Sequence, residues 1–172
     1  MSKLAFIFPG QGAQKAGMGK DFYENSEAAR SFFDHAQEIL DFDLKEMCFG
    51  EHEELNLTEY TQPCMVSVCL AIVQELKKRG INPDITAGLS LGEYAAVAAA
   101  GGMNELDAIK LVRRRGILMQ NTVPTGEGAM AAVLGLDAKK IEEILESFEK
   151  KYPHLSISYS YLEENELMEG LK

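Results

Sequence analysis

The sequence predicts an α/β fold built on a parallel sheet, and three observations carry that expectation. Leu4-Ala5-Phe6-Ile7-Phe8 is an unbroken apolar run closed by turn residues, the pattern of a strand buried on both faces. Ile85-Thr86-Ala87 is a second short strand running into Gly88. Between and after the two strands the apolar residues recur at helical spacing, so strands alternate with helices as in crossover-connected parallel sheets.

Pro9-Gly10-Gln11-Gly12-Ala13-Gln14 follows the first strand, with Gly17 and Gly19 beyond it. A glycine-dense loop therefore sits at a strand's carboxyl end, where open α/β sheets bind ligands. From about Ser26 to Leu40, Ala29, Phe32, Phe33, Ala36, Ile39 and Leu40 form the apolar side of an amphipathic helix. Phe42 to Glu59 mixes charges with scattered apolar residues and reads as a surface connection. Thr61-Gln62-Pro63 reads as a helix opening and Gly80 as its stop, with a nearly all-apolar helix from Cys64 to Leu76 between them. An alanine-rich helix from Leu91 to Ala100 ends at Gly101-Gly102, and Asn104 caps a further helix running to about Asn121. Near Pro124-Thr125-Gly126 the pattern changes. Ala129 to Leu134, a charged helix from Lys139 to Lys151 and the alternating Leu155 to Tyr159 suggest a β-α-β unit and a small second subdomain.

Composition removes several classes of function. The chain has 172 residues, 46% hydrophobic, and a net charge of −10 from 17 basic and 27 acidic residues. That length and apolar content suit a core-forming domain, while the acidity repels nucleic acid and anionic membranes. The longest apolar stretch, Met65 to Val73, is far short of a membrane span, and the opening apolar run is too short for a signal peptide. Cys48, Cys64 and Cys69 are odd in number and lack metal-ligand spacing, which reads as reduced packing thiols in a cytoplasmic protein. No metal or cofactor is expected.

Gly88-Leu89-Ser90-Leu91-Gly92 matches the G-x-S-x-G nucleophile elbow and lies between an expected strand and an expected helix. Flanking glycines let strand and helix approach closely enough to present the serine hydroxyl, and the helix's amino end favours a developing oxyanion. A glycine-flanked serine capping a helix is the plain structural alternative. On the helix from Leu106 to Gln120, Ala108, Ile109, Leu111, Val112, Leu118 and Met119 share one arc, with Arg115 in its middle and Arg113 and Arg114 turned to water. A guanidinium on an apolar face needs an anion, either a structural carboxylate or a ligand.

Taken together, Phe8 to Gln14, Thr61-Gln62-Pro63, Gly88 to Tyr94, Arg115-Gly116 with Met119-Gln120, and Gly128 to Val133 resemble the malonyl-CoA:acyl carrier protein transacylase family, in register from about Lys3 to Lys151. The resemblance implies an α/β-hydrolase-like parallel-sheet core, incomplete here, over residues 1–124, and part of a ferredoxin-like subdomain over 125–172. It implies that Ser90 is the nucleophile, acylated by malonyl-CoA and deacylated by the phosphopantetheine thiol of acyl carrier protein in fatty-acid biosynthesis. Backbone N–H groups of Gln11 and Leu91 would form the oxyanion hole. Arg115 would pair with the malonyl carboxylate, and Gln62 would contribute to the substrate pocket. Leu89 stands where the family normally has histidine. His35, His52 and His154 do not match the family's general base, which is expected in a part of the family beyond the matched length. Two alternatives stay open: a non-catalytic fragment that binds acyl-CoA or carrier protein, and a serine thioesterase or other hydrolase. For carrier-protein docking, Arg113 with Arg114 is the visible basic candidate.

Overall fold

The computed structural model describes residues 3–122, 133 and 135–154, and the chain divides into two units, Met1–Gly128 and Ala129–Lys172. In the first unit the order is β1 (Ala5–Phe8), α1 (Lys20–Asn25), α2 (Glu27–Glu38), α3 (Leu44–Phe49), a 3-10 turn (Glu53–Asn56), α4 (Thr58–Lys78), β2 (Ile85–Gly88), α5 (Gly92–Ala99) and α6 (Glu105–Thr122). β1 and β2 pair in parallel with Phe8 opposite Gly88, as the α/β expectation requires. The second unit contributes α7 (Ala138–Lys151), whose first turn is capped by the Asp137 carboxylate accepting from the Lys139 N–H. The strands expected at Ala129 to Leu134 and Leu155 to Tyr159 lie outside the described residues, Val133 apart, as does the expected boundary at 124/125.

α4 is the axis of the first unit. Its apolar residues occupy nearly every face, so it must be surrounded, and α2 and α6 pack along it with Phe33, Leu70, Val66 and Ile109 fully buried. Its end is a Schellman motif. Gly80 adopts φ +75°, its N–H donates to the Lys77 carbonyl, and the Ile81 N–H reaches back to Leu76. The start differs from expectation, because the helix begins at Thr58 and Pro63 lies inside it. Proline cannot donate to the carbonyl four residues back. That carbonyl, of Glu59, instead accepts from Arg113 Nη1 at 2.7 Å.

Arg113 therefore corrects the sequence reading, which turned it to water. Its side chain is 12% exposed. Nε and Nη2 form a fork on the Asp41 carboxylate at 2.9 and 3.0 Å, Nη1 also meets Glu59 Oε2 at 3.3 Å, and the guanidinium lies over the rings of Phe42 and Tyr60. It ties α6 to the start of α4 and to the segment after α2. The same segment corrects a second expectation: 42–59 is no mere surface connection, since Leu44, Cys48 and Leu55 are buried in the core. Arg113→Met is expected to cost about 2–3 kcal/mol in chemical denaturation, below the usual cost of breaking a fully buried pair because Asp41 is largely exposed. The Arg113 hydrogen bond holds the Asp41 carboxyl below its usual range. A lowered folded value stabilises above the unfolded value and loses that contribution as pH falls through it. The Arg113→Met deficit should thus shrink below about pH 4, and a deficit constant to pH 2 would contradict the assignment.

Among the described residues the sheet is covered on one side only. Phe6, Phe8, Thr86 and Gly88 turn toward the helices, whereas Ala5, Ile7, Ile85 and Ala87 form an exposed face, with Ile7 79% and Ile85 62% exposed. The expectation of a first strand buried on both faces is corrected here. The apolar run forms the expected strand, but its second cover is not among the described residues.

Candidate active site

Three close approaches build the site. The Leu89 N–H donates to the Phe8 carbonyl at 3.1 Å, continuing the β1–β2 pairing one residue past the strands. This lays Pro9-Gly10 beside Leu89-Ser90. A methyl group on Gly10 would lie 2.9 Å from the Leu89 carbonyl oxygen, one on Gly88 would lie 2.1 Å from the Gly92 carbonyl carbon, and one on Gly92 would lie 2.3 Å from the Phe8 carbonyl oxygen. The three glycines are thus the condition for strand, loop and helix to converge.

Ser90 sits at the convergence. Among the described residues it is the only non-glycine with positive φ, at 50°. A serine held there is strained, and such strain persists where the surrounding structure over-determines it. α5 begins two residues later, with Leu91 buried at its cap position. The Gly92, Glu93 and Tyr94 N–H groups are taken by the carbonyls of Leu89, Ser90 and Leu91, while the Leu91 N–H has no hydrogen-bond partner among the described residues. In the facing loop the Gly12 N–H is taken by the Gln14 side chain at 2.7 Å, and the Gln11 N–H is likewise without a partner among the described residues. Gln11 and Leu91 therefore present free donors on the two segments that Gly10 and Gly92 bring together.

A polar bracket holds the loop against the helices. Gln11 Nε2 donates to Thr58 Oγ1 at 3.0 Å, and Gln11 Oε1 accepts from Gln62 Nε2 at 3.4 Å. Gln62 is fully buried on the second turn of α4, where Nε2 also approaches Met119 Sδ of α6 at 3.4 Å and Oε1 has no partner among the described residues. The Thr58 N–H, one of the unpaired donors at a helix start, donates to Gln120 Oε1 at 3.0 Å. Gly116 permits this contact, since a methyl group there would lie 2.7 Å from the Thr58 carbonyl oxygen. Thr58 was not visible from the sequence, because the proline at 63 drew the helix start to Thr61.

Arg115 departs from its expected place in one respect. The buried strip of α6 is Ala108, Ile109, Val112 and Gly116; Leu111, Leu118 and Met119 are substantially exposed, and Arg115 lies half-buried at the strip's border. Its guanidinium stands 5.6 Å from the ring centre of Tyr94, in the first turn of α5. It forms no ion pair among the described residues. The structure therefore brings Arg115 to the helix that carries the elbow, as a cation without a protein carboxylate. In the first unit His52 faces Glu46 Oε1 at 3.0 Å and His35 is exposed on α2; in the second unit His154 lies edge-on to Tyr152. No cluster of three metal-ligating side chains occurs among the described residues, and no helix there is long and apolar enough to cross a membrane.

Similarity to known proteins extends over most of the chain. The family model for the acyl transferase domain matches residues 5–159. The malonyl CoA-acyl carrier protein transacylase of Bacillus subtilis is 50% identical over 145 residues, which are 84% of this chain and 46% of that protein. The crystal structure of the Clostridium perfringens transacylase of the same name superposes with a TM-score of 0.75 at 44% identity, covering 88% of this chain and 48% of its own. A solved complex of a type II PKS acyl-carrier protein with its malonyl-transacylase contains a chain that superposes with a TM-score of 0.78 at 38% identity, covering 87% of this chain and 49% of its own. The chain spans about half the length of these relatives. It belongs to the acyl transferase domain family.

Proposed function

We propose that this chain supplies the nucleophile half of an enzyme that moves a malonyl group from malonyl-CoA to the phosphopantetheine thiol of acyl carrier protein. The observation that carries the reading is Arg115, a half-buried guanidinium beside α5 with no carboxylate of its own among the described residues. A planar cation in that state suits a ligand carboxylate, and malonyl thioesters carry one.

In this mechanism Ser90 Oγ attacks the thioester carbonyl. The carbonyl oxygen takes the negative charge and rests on the Gln11 and Leu91 N–H groups. The C–S bond then breaks, CoA leaves as the thiol with the serine's proton, and the malonyl group stays on Ser90 as an ester. The thiol of the carrier protein attacks that ester, and the same steps in reverse return the proton to Ser90. A base must hold the proton in between. Within the first unit His35 is exposed on α2 and His52 faces Glu46, and the base is expected in the half of the family's length that this chain does not match. Gln62 lines the acyl pocket and keeps Gln11 in register. Of the Arg113–Arg114 pair, Arg114 remains exposed for the carrier protein, because Arg113 is committed to Asp41 and Glu59. Cysteine chemistry is disfavoured, since burial pushes the Cys69 thiol up to about 11 and leaves it protonated at neutral pH. Three free thiols also agree with a cytoplasmic setting.

Arg115→Ala tests the reading. Loss of a charge-assisted pair should reduce acylation by malonyl-CoA about 10–100-fold while leaving acetyl-CoA nearly unchanged. An unaltered ratio between the two donors would remove Arg115 from the substrate site.

A further inference from the structure

Thr58 opens α4 with its hydroxyl turned away from its own helix. One turn on, Thr61 Oγ1 donates to the Leu55 carbonyl at 2.6 Å, the common local use of such a side chain. Thr58 Oγ1 instead accepts from Gln11 Nε2 at 3.0 Å, across 47 positions of sequence. Leu57, at the cap position, offers no side-chain acceptor, and the Thr58 N–H goes to Gln120 Oε1 of α6. Thr58 thus joins the start of α4, the helix that carries Arg115 and the loop after β1.

That loop has little else to place it. Gly12 adopts φ +109°, and a methyl group there would meet nothing within 4 Å, so close packing does not hold the turn. Among the described residues, every hydrogen bond from residues 11–14 to the rest of the unit passes through a side-chain amide. Gln11 Nε2 meets Thr58, Gln11 Oε1 accepts from Gln62 at 3.4 Å, and Gln14 Nε2 donates to Asn56 Oδ1 at 3.1 Å. The Thr58 bond is the shortest of the three. It also acts on Gln11 itself, whose backbone N–H has no partner among the described residues. An oxyanion donor works through geometry, and displacement by about 1 Å can cost about a hundredfold in rate. We propose that Thr58 is a positioning residue for acyl transfer, anchoring the Gln11 side chain so that the Gln11 N–H stays where the oxyanion forms. The inference rests on the oxyanion role given to Gln11 above, and not on which acyl group is carried.

Thr58→Val keeps the shape of the side chain and the N–H bonded to Gln120 but removes the acceptor, whereas Thr58→Ser keeps the acceptor. Both are made in the protein bearing a complete acyl transferase domain. Acylation of Ser90 is followed by rapid quench with malonyl-CoA and with acetyl-CoA, alongside NMR relaxation of the Gln11 amide. Thr58→Val is expected to slow acylation at saturation by about 10–100-fold for both donors, with KM and the melting transition nearly unchanged. The order parameter of the Gln11 amide should fall from about 0.85 toward about 0.6, and Thr58→Ser should restore rate and order together. An unchanged order parameter in Thr58→Val would overturn the proposal, and so would a loosened amide with undiminished acylation. A protein that takes acetyl but not malonyl groups, and still slows in Thr58→Val, would remove the malonyl function proposed above and leave Thr58 in its role.

Discussion

Ser90→Ala, in the chain joined to the remaining half of its domain, is expected to lower malonyl transfer by at least about a thousandfold and to abolish the covalent malonyl adduct. The magnitude follows from covalent catalysis, because an acyl-enzyme route has no substitute once its oxygen is gone. Three features point to Ser90: φ is +50°, Gly88 and Gly92 let the turn close, and the adjoining Gln11 and Leu91 N–H groups have no partner among the described residues. Alanine is tolerated at such a φ no worse than serine, so the variant should melt within about 1 kcal/mol of the parent. Folding and chemistry are thereby separated. A Ser90→Ala protein that still transferred malonyl groups at a tenth of the parent rate would show that the elbow is a structural cap.

Gly92→Ala is expected to have the largest effect on stability, at least about 3 kcal/mol, and to leave little folded protein. The added methyl group would lie 2.3 Å from the Phe8 carbonyl oxygen and 2.8 Å from that of Pro9, both rigid backbone atoms, so β1 and α5 would have to part. Gly101→Ala provides the contrast. Gly101 also resists a side chain, through φ of +80°, but nothing lies within 4 Å of the added atom. Strain alone should cost about 1–2 kcal/mol there. Thermal or denaturant melts of the two variants give the comparison, and equal losses would mean that close packing at the elbow matters less than backbone conformation.

The helices and the elbow could be read from the sequence because their signals are local. Ser26, Asn104 and Gly80 each act within a few residues of themselves, and the G-x-S-x-G spacing encodes a turn that only glycine-flanked serine can make. Long-range geometry was less legible. Arg113 and Arg115 sit two residues apart on α6, and helical periodicity placed only one of them near the apolar side. Which of them would find a carboxylate depended on Asp41, 72 residues away in sequence from Arg113. Thr58 was hidden for a similar reason, since its part in the site comes from Gln11 and Gln120, which the fold brings to it. The exposed face of β1 could not be anticipated from the apolar run Leu4 to Phe8, because burial on the second side requires a covering layer that sequence pattern alone does not locate.

The claim that Ser90 carries the acyl group is tested most directly by brief exposure of the assembled protein to malonyl-CoA, acid quench, proteolysis and mass spectrometry. A malonyl ester is expected on the peptide containing Ser90, lost on addition of holo acyl carrier protein. A malonyl group found instead on Cys48, Cys64 or Cys69, or an ester at Ser90 that carrier protein does not discharge, would contradict it.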